Sequence, residues 1–294
     1  MMRFGTLLIA LNLGMLSTTV FAHQVYVSYD QNQQTHNVLD TTTMVDATGS
    51  TLTTSFDLTE QWQWSFNVGR ASGSEPFNER LSTDLDTKHL SSTMSFYQDA
   101  WSYTLNVARY RDEVAVLRPD AREIYTSSAS SPSISVAAQY QFPIANWYFG
   151  LDVGLSYGEY EIDSVATRDR NVTTRTQEDS TSVTASIGLT ASYWIELTQT
   201  QSLYIGSSVY WDQVLDSDHS QTQIRATRTP RTGQPATVRR QQFEGGYRDE
   251  NSGQLSVFAT YGFASDWSLS ASYAHPLNSD YSDDGFSVML GYQF

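Results

Sequence analysis

The residues that could do chemistry in this chain are few. His219-Ser220 is a His–Ser pair in a long polar stretch. A hydrolytic nucleophile needs its hydroxyl within hydrogen-bond reach of an imidazole base. Adjacent residues of an extended chain point to opposite faces, so this pair does not supply that geometry. No histidine is read as part of a hydrolase triad, and the expectation is that the chain is not an enzyme. The five histidines are scattered, with no H-x-x-x-H and no cysteine to complete a metal site. "DYSDDG" at 280–285 offers Asp280, Asp283 and Asp284 as hard oxygen ligands, yet it has neither the length nor the closing glutamate of a calcium loop. It reads as an acidic surface turn, and "NVT" at 171–173 is a glycosylation match of little weight. No metal and no cofactor is expected.

Arginine placement carries more. Between His219 and Phe243 stand Arg225, Arg228, Arg231, Arg239 and Arg240 with no carboxylate among them, in a chain of formal net charge −15. Two placements fit. The stretch 212–254 could fold into a wet channel and favour anions, or it could stand outside and pair with carboxylates of "RDRNVTTRTQED" and "RYRDEVAVLRPDARE".

Something must position these groups, and the spacing says strands. Alternation of apolar and polar residues, the signature of a half-buried strand, is strong at 62–70, 101–109, 147–157, 255–263 and 267–273. It recurs more weakly at 25–30, 52–58, 90–98, 134–142, 182–193 and 203–211, and closes the chain in "FSVMLGYQF", giving twelve segments. Every other gap is tight ("TEQ", "DA", "PIAN", about "WIELTQTQS", "ASD"). The intervening gaps are long: about 31–51, 71–89, 110–133, 158–181, 212–254 and 274–285. Short turns on one rim and long loops on the other describe an all-β, up-and-down antiparallel transmembrane β-barrel with periplasmic turns and extracellular loops.

The two faces have different chemistry. One carries Trp62, Trp64, Phe66, Val68, Leu105, Val107, Leu151 and Val153; the other carries Asn67, Asn106, Tyr148, Asp152, Ser186 and Ser270 among many serines, threonines and glycines. Such a polar face cannot fill a dry core. It faces water in a lumen, and the apolar face then meets lipid. Trp62, Trp101, Trp147 and Trp267 each follow a short turn, as an aromatic belt at the membrane interface would.

The remaining bulk features agree. "MMRFGTLLIALNLGMLSTTVFA" has the charged start, apolar run and small residues of a secretory signal peptide, so 1–22 is expected to be removed and 23–294 to form the barrel. Cysteine is absent from this exported chain, and strand pairing must do the work of disulfides. With 32 acidic and 17 basic residues, no nucleic-acid partner is expected.

With Tyr292 and Phe294 at its end, "FSVMLGYQF" resembles the closing strand of Gram-negative outer-membrane proteins. The resemblance implies residence in the cell outer membrane. It also makes Tyr292 and Phe294 part of a signal for the barrel-assembly machinery, with membrane lipid and lipopolysaccharide as surroundings. Twelve strands is similar in size to autotransporter translocators, oligosaccharide and nucleoside channels and the outer-membrane phospholipase. A passive channel for small solutes is the first expectation. A non-conducting barrel that displays its loops to a partner and a solitary autotransporter-type barrel without passenger are the alternatives. Oligomeric state is open.

Overall fold

The structure is a computed structural model. It describes residues 23–294 apart from 39–40, 79, 120–122, 169–171, 229–234, 245–251, 264–265 and 278–283; the expected signal segment therefore lies outside the described residues. Thirteen strands follow in order: β1 (His23–Val38), β2 (Thr41–Asp57), β3 (Trp62–Asn78), β4 (Leu81–Gln98), β5 (Trp101–Leu117), β6 (Glu123–Ile144), β7 (Trp147–Arg168), β8 (Val172–Thr198), β9 (Gln201–Arg228), β10 (Pro235–Glu244), β11 (Ser252–Phe263), β12 (Trp267–Pro276) and β13 (Gly285–Gln293).

All pairings are antiparallel, and the sheet closes on itself. β1 pairs β13 from Gln24↔Gln293 to Asn32↔Gly285. At the other seam β9 joins β8 to β11. Closure pairs the edges of the ring itself, which hydrocarbon demands of a spanning sheet, while β10 pairs β9 alone. The ring has twelve positions because β10 and β11 share one. β11 pairs the lower half of β9 (Gln201–Asp212), whereas β10 pairs its upper half (Ser220–Arg228). The fold is thus the closed, twelve-position, up-and-down barrel that the alternation predicts.

The long connections are not loops as the spacing suggests. β8 and β9 run for 27 and 28 residues, more than twice the roughly 9–11 that a tilted strand needs to cross a membrane. Above the apolar band both faces meet water, so hydrophobic alternation fades and sequence periodicity falls silent. The backbone groups still need partners, and runs rich in Thr, Val and Ser supply strand-compatible side chains. The ladder therefore continues as hairpins: β1 reaches Val38 and β2 starts at Thr41, and the same holds for β3–β4, β5–β6 and β7–β8. Just beyond β12 and just before β13, Leu277 N donates to Gly253 O and Asp284 O accepts from Gln33 N.

At the opposite rim the turns are short. Asp99 and Ala145 hold left-handed φ values of 52° and 55° at the two-residue connections β4–β5 and β6–β7. Tight hairpins need such φ values to match the strand twist.

A small apolar core sits high on one flank. Val45 and Ala47 of β2 are fully buried, together with Leu85 of β4 and Val114 and Val116 of β5. These belong to the inner face. The β2–β3 ladder ends at Thr48↔Ser72, which lets upper β2 pack across β3 onto the β4–β5 hairpin.

Candidate functional site: the barrel interior and its two rims

The inner wall is a lattice of small hydrogen-bonded groups. Asn67 donates from Nδ2 to Ser91 Oγ at 2.9 Å, and Thr93 donates to Asn106 Oδ1 at 3.0 Å. Ser55 and Ser65 meet at 2.8 Å, and Thr260 and Ser270 at 2.9 Å. Ser186 faces Asp212 across the β8–β9 ladder. Each bond links neighbouring strands, so the hydroxyls and amides line the wall without reaching across the lumen.

The larger interior side chains are held against the wall as well. Tyr26, His89, Tyr210 and Phe258 are each paired in register with a glycine: Gly291, Gly69, Gly188 and Gly206 respectively. A Cβ at any of these glycines would overlap the partner's ring. The ring lies flat over the glycine, filling its missing side chain. Tyr210 also donates to Asp152 Oδ2 at 3.5 Å. Tyr148 meets Tyr204 edge-on, centroids 6.4 Å apart, and Tyr204 packs on Phe258 at 5.7 Å.

The expectation that neither His89 nor His275 has a serine two residues away fails at one of them. His89 and Ser91, two apart on β4, share the inner face. His89 stacks on Tyr110 at 5.7 Å while Ser91 accepts from Asn67, so each ring or hydroxyl has another neighbour. His219 and Ser220 are adjacent strand residues of β9 on opposite faces, opposite Ser180 and Asp179 of β8.

On the outer face at the short-turn rim, Trp62, Trp101, Trp147 and Trp267 are all exposed. Each is in register with, and packed on, an aromatic of the following strand: Phe96, Tyr140, Tyr193 and Tyr292, with centroids 4.8–5.0 Å apart. Sequence alone shows the tryptophans, but these partners, 25 to 46 residues onward, emerge only when the register is known. Phe294 continues the row, stacked on Tyr292 at 5.8 Å and 60% exposed.

The arginine-rich stretch is a hairpin that prolongs the wall, which replaces the picture of an unpaired loop folded into the lumen. Arg225 is exposed on β9, opposite Thr174 of β8 and Arg239 of β10. Arg240 is in register with Ile224 and Arg228 with Pro235; Arg231 lies outside the described residues. Thr222, Ile224 and Ala226 alternate with Gln223 and Arg225, and Thr237 and Val238 stand in β10, which suits a ladder. In the acidic turn, Asp280 and Asp283 lie outside the described residues. Asp284 meets His275 Nδ1 at 2.6 Å and accepts from Tyr273 at 3.1 Å.

High on β4–β8, a cleft of about 520 Å³ is lined by Asp84, Asp86, Glu113, Asp163 and Arg175. Its carboxylates are engaged, Asp84 by Ser74, Asp86 by Arg70 and Lys88, Glu113 by Arg111 and Asp163 by Arg175. Burial acts to raise the Asp86 carboxyl, but the hydrogen bonds from Arg70 and Lys88 outweigh it and hold the group below its ordinary value.

No known protein family and no curated protein matches the chain. Solved structures do. The translocator domain of the autotransporter NalP from Neisseria meningitidis aligns with TM-score 0.64 at 12% identity, covering 96% of this chain and 91% of that one. The β domain of the Bordetella autotransporter BrkA aligns with TM-score 0.59 at 13% identity, over 94% and 99%. The transport unit of AIDA-I from Escherichia coli aligns with TM-score 0.55 at 12% identity, over 98% and 94%. The likeness spans nearly the whole of each chain and is a likeness of fold.

Proposed function

We propose that the protein is an outer-membrane barrel acting as a passive channel for small polar solutes. The supporting observation is the seating of interior rings flat over Gly69, Gly188, Gly206 and Gly291. A barrel whose centre is packed solid has no use for clearing its aromatics from the axis. The rest of the wall is mainly serine, threonine, asparagine and glutamine, groups that tolerate water and exchange hydrogen bonds with a passing solute, with the carboxylates Asp30, Asp57, Asp152 and Asp212 among them. Arg225, Arg239 and Arg240 belong to the strands that extend above the wall, and Arg225 is exposed there.

Planar-bilayer recording tests the proposal. Discrete single-channel steps are expected, with anion preference reduced in Arg225→Gln/Arg239→Gln, because fixed guanidinium charge in a confined opening raises local anion concentration. The apolar core of Val45, Ala47, Leu85, Val114 and Val116 on the inner face at the long-hairpin end favours a second reading, a non-conducting barrel that displays its tall hairpins to a partner. Silent bilayers containing inserted protein would select that reading instead.

A further inference from the structure

On β3, β4 and β5 the first outer-face residue beyond the apolar stretch is a cation. Val68 is followed by Arg70, Leu90 is preceded by Lys88, and Val107 is followed by Arg109 and then Arg111. Register aligns them: Arg70 lies opposite Lys88, and Lys88 opposite Arg111, with Arg109 opposite Leu90 just below. Three charges therefore stand in one row on adjacent strands, spaced by about 4.8 Å. Each is at least half exposed, with side-chain exposures of 68% for Arg70, 51% for Lys88 and 58% for Arg111, while Arg70 and Lys88 pair with Asp86 and Arg111 pairs with Glu113.

Their carboxylate neighbours, Asp86 and Glu113, stand one outward position further from the band. Four cations thus meet two anions in a chain that is strongly acidic as a whole. Elsewhere at this level the sign reverses or vanishes. The corresponding positions are Glu159 and Glu161 on β7, Thr181 and Asp179 on β8, and Ser130 and Pro132 on β6.

We infer that the β3–β5 flank is a docking surface for the phosphate groups of an outer-leaflet lipopolysaccharide, whose acyl chains lie along Val68, Leu90, Leu105 and Val107. Guanidinium forks match phosphate oxygens in pairs and outlast hydration better than an ammonium does. A ligand with phosphates and several acyl chains meets both the cation row and the apolar face beneath it. The inference rests on immersion of the apolar band in lipid and is independent of conduction.

The test is lipid retention by the detergent-purified barrel, counted by native mass spectrometry, with phosphorylated lipid A and its fully dephosphorylated form as probes. At least tenfold preference for the phosphorylated form is expected. It should fall about tenfold in Arg70→Gln/Lys88→Gln/Arg111→Gln and persist in Glu159→Gln/Glu161→Gln. Equal retention of the two lipids by the wild type overturns the surface without recourse to any variant, as does full retention by the triple variant. Displacement of lipid A by millimolar inorganic phosphate would make the row a free-phosphate site and overturn the lipid assignment. Insertion into vesicles, followed by heat-modifiable gel mobility, separates the underlying readings. A barrel that does not insert removes the membrane premise, whereas one that inserts without lipid preference removes the docking surface alone.

Discussion

Asp112 is 1% exposed on the inner face of upper β5, flanked in register by Thr87 and Ala129. Neither of its carboxyl oxygens makes a hydrogen bond of normal geometry among the described residues. Burial pushes its pKa up to about 6, with the Thr87 hydroxyl pulling the other way. A raised carboxyl stabilises the native barrel when protonated. That contribution is complete below about pH 4 and is lost as pH rises through about 6. Urea unfolding of vesicle-inserted barrel should therefore show stability falling across this window by on the order of 3 kcal/mol. In Asp112→Asn the decline should disappear, and an equal decline in the variant would assign it to other groups. Nothing in the sequence marks this residue, because "YRDEVAV" reads as an ordinary charged surface run. The burial belongs to the upper inner face, one inner position from Val114 of the apolar core, a tertiary setting with no local signature.

At the scale of the element, the spanning strands were legible and their extensions were not. Alternation locates "WSYTLNVAR" and "WYFGLDVGLSY" because lipid and water impose opposite demands on the two faces. In "EIDSVATR" and "VTTRTQED" both faces are wet, and the periodicity that would announce β7 and β8 is missing although the strands continue. The short turns offer a test at the same scale. Ala145 carries a φ of 55° with no polar side chain, whereas the φ of 52° falls on Asp99, a residue type that visits the left-handed region more readily. Ala145→Gly should stabilise the barrel by about 0.5–1 kcal/mol, while Asp99→Gly should change little. Chemical denaturation of the two variants side by side checks this, and equal shifts would mean that turn strain is not what distinguishes them.

For the whole molecule, closure depends on β13 meeting both β12 and β1. Tyr292 packs on Trp267 and stacks on Phe294, so the outer row of aromatics ends at the seam itself. Phe294→Asp should lower the folded yield in cell envelopes several-fold more than Gln293→Asp, since only Phe294 faces outward beside Tyr292. Heat-modifiable mobility reads the outcome, and equal yields would detach the terminal aromatic from assembly. The twelve-position closure could be counted from the gaps in the chain. The sharing of one wall position by β10 and β11 could not, since it appears only in the register, with β10 on Ser220–Arg228 and β11 on Gln201–Asp212.

The glycine–ring pairs bear on something other than passage through the lumen. A wall of serines and threonines reads almost the same after a slip of two residues, because each hydroxyl finds another hydroxyl opposite. Two-residue slips preserve the inside–outside parity, so lipid does not penalise them either. Tyr26 over Gly291, His89 over Gly69, Tyr210 over Gly188 and Phe258 over Gly206 break that degeneracy. Shift any of these strands by two and the ring meets a side chain where it now meets none. The four pairs fall on the β1–β13, β3–β4, β8–β9 and β9–β11 ladders, and one of them lies on the closing seam. They act as keys cut for one alignment, and a chain with otherwise repetitive walls thereby encodes its shear.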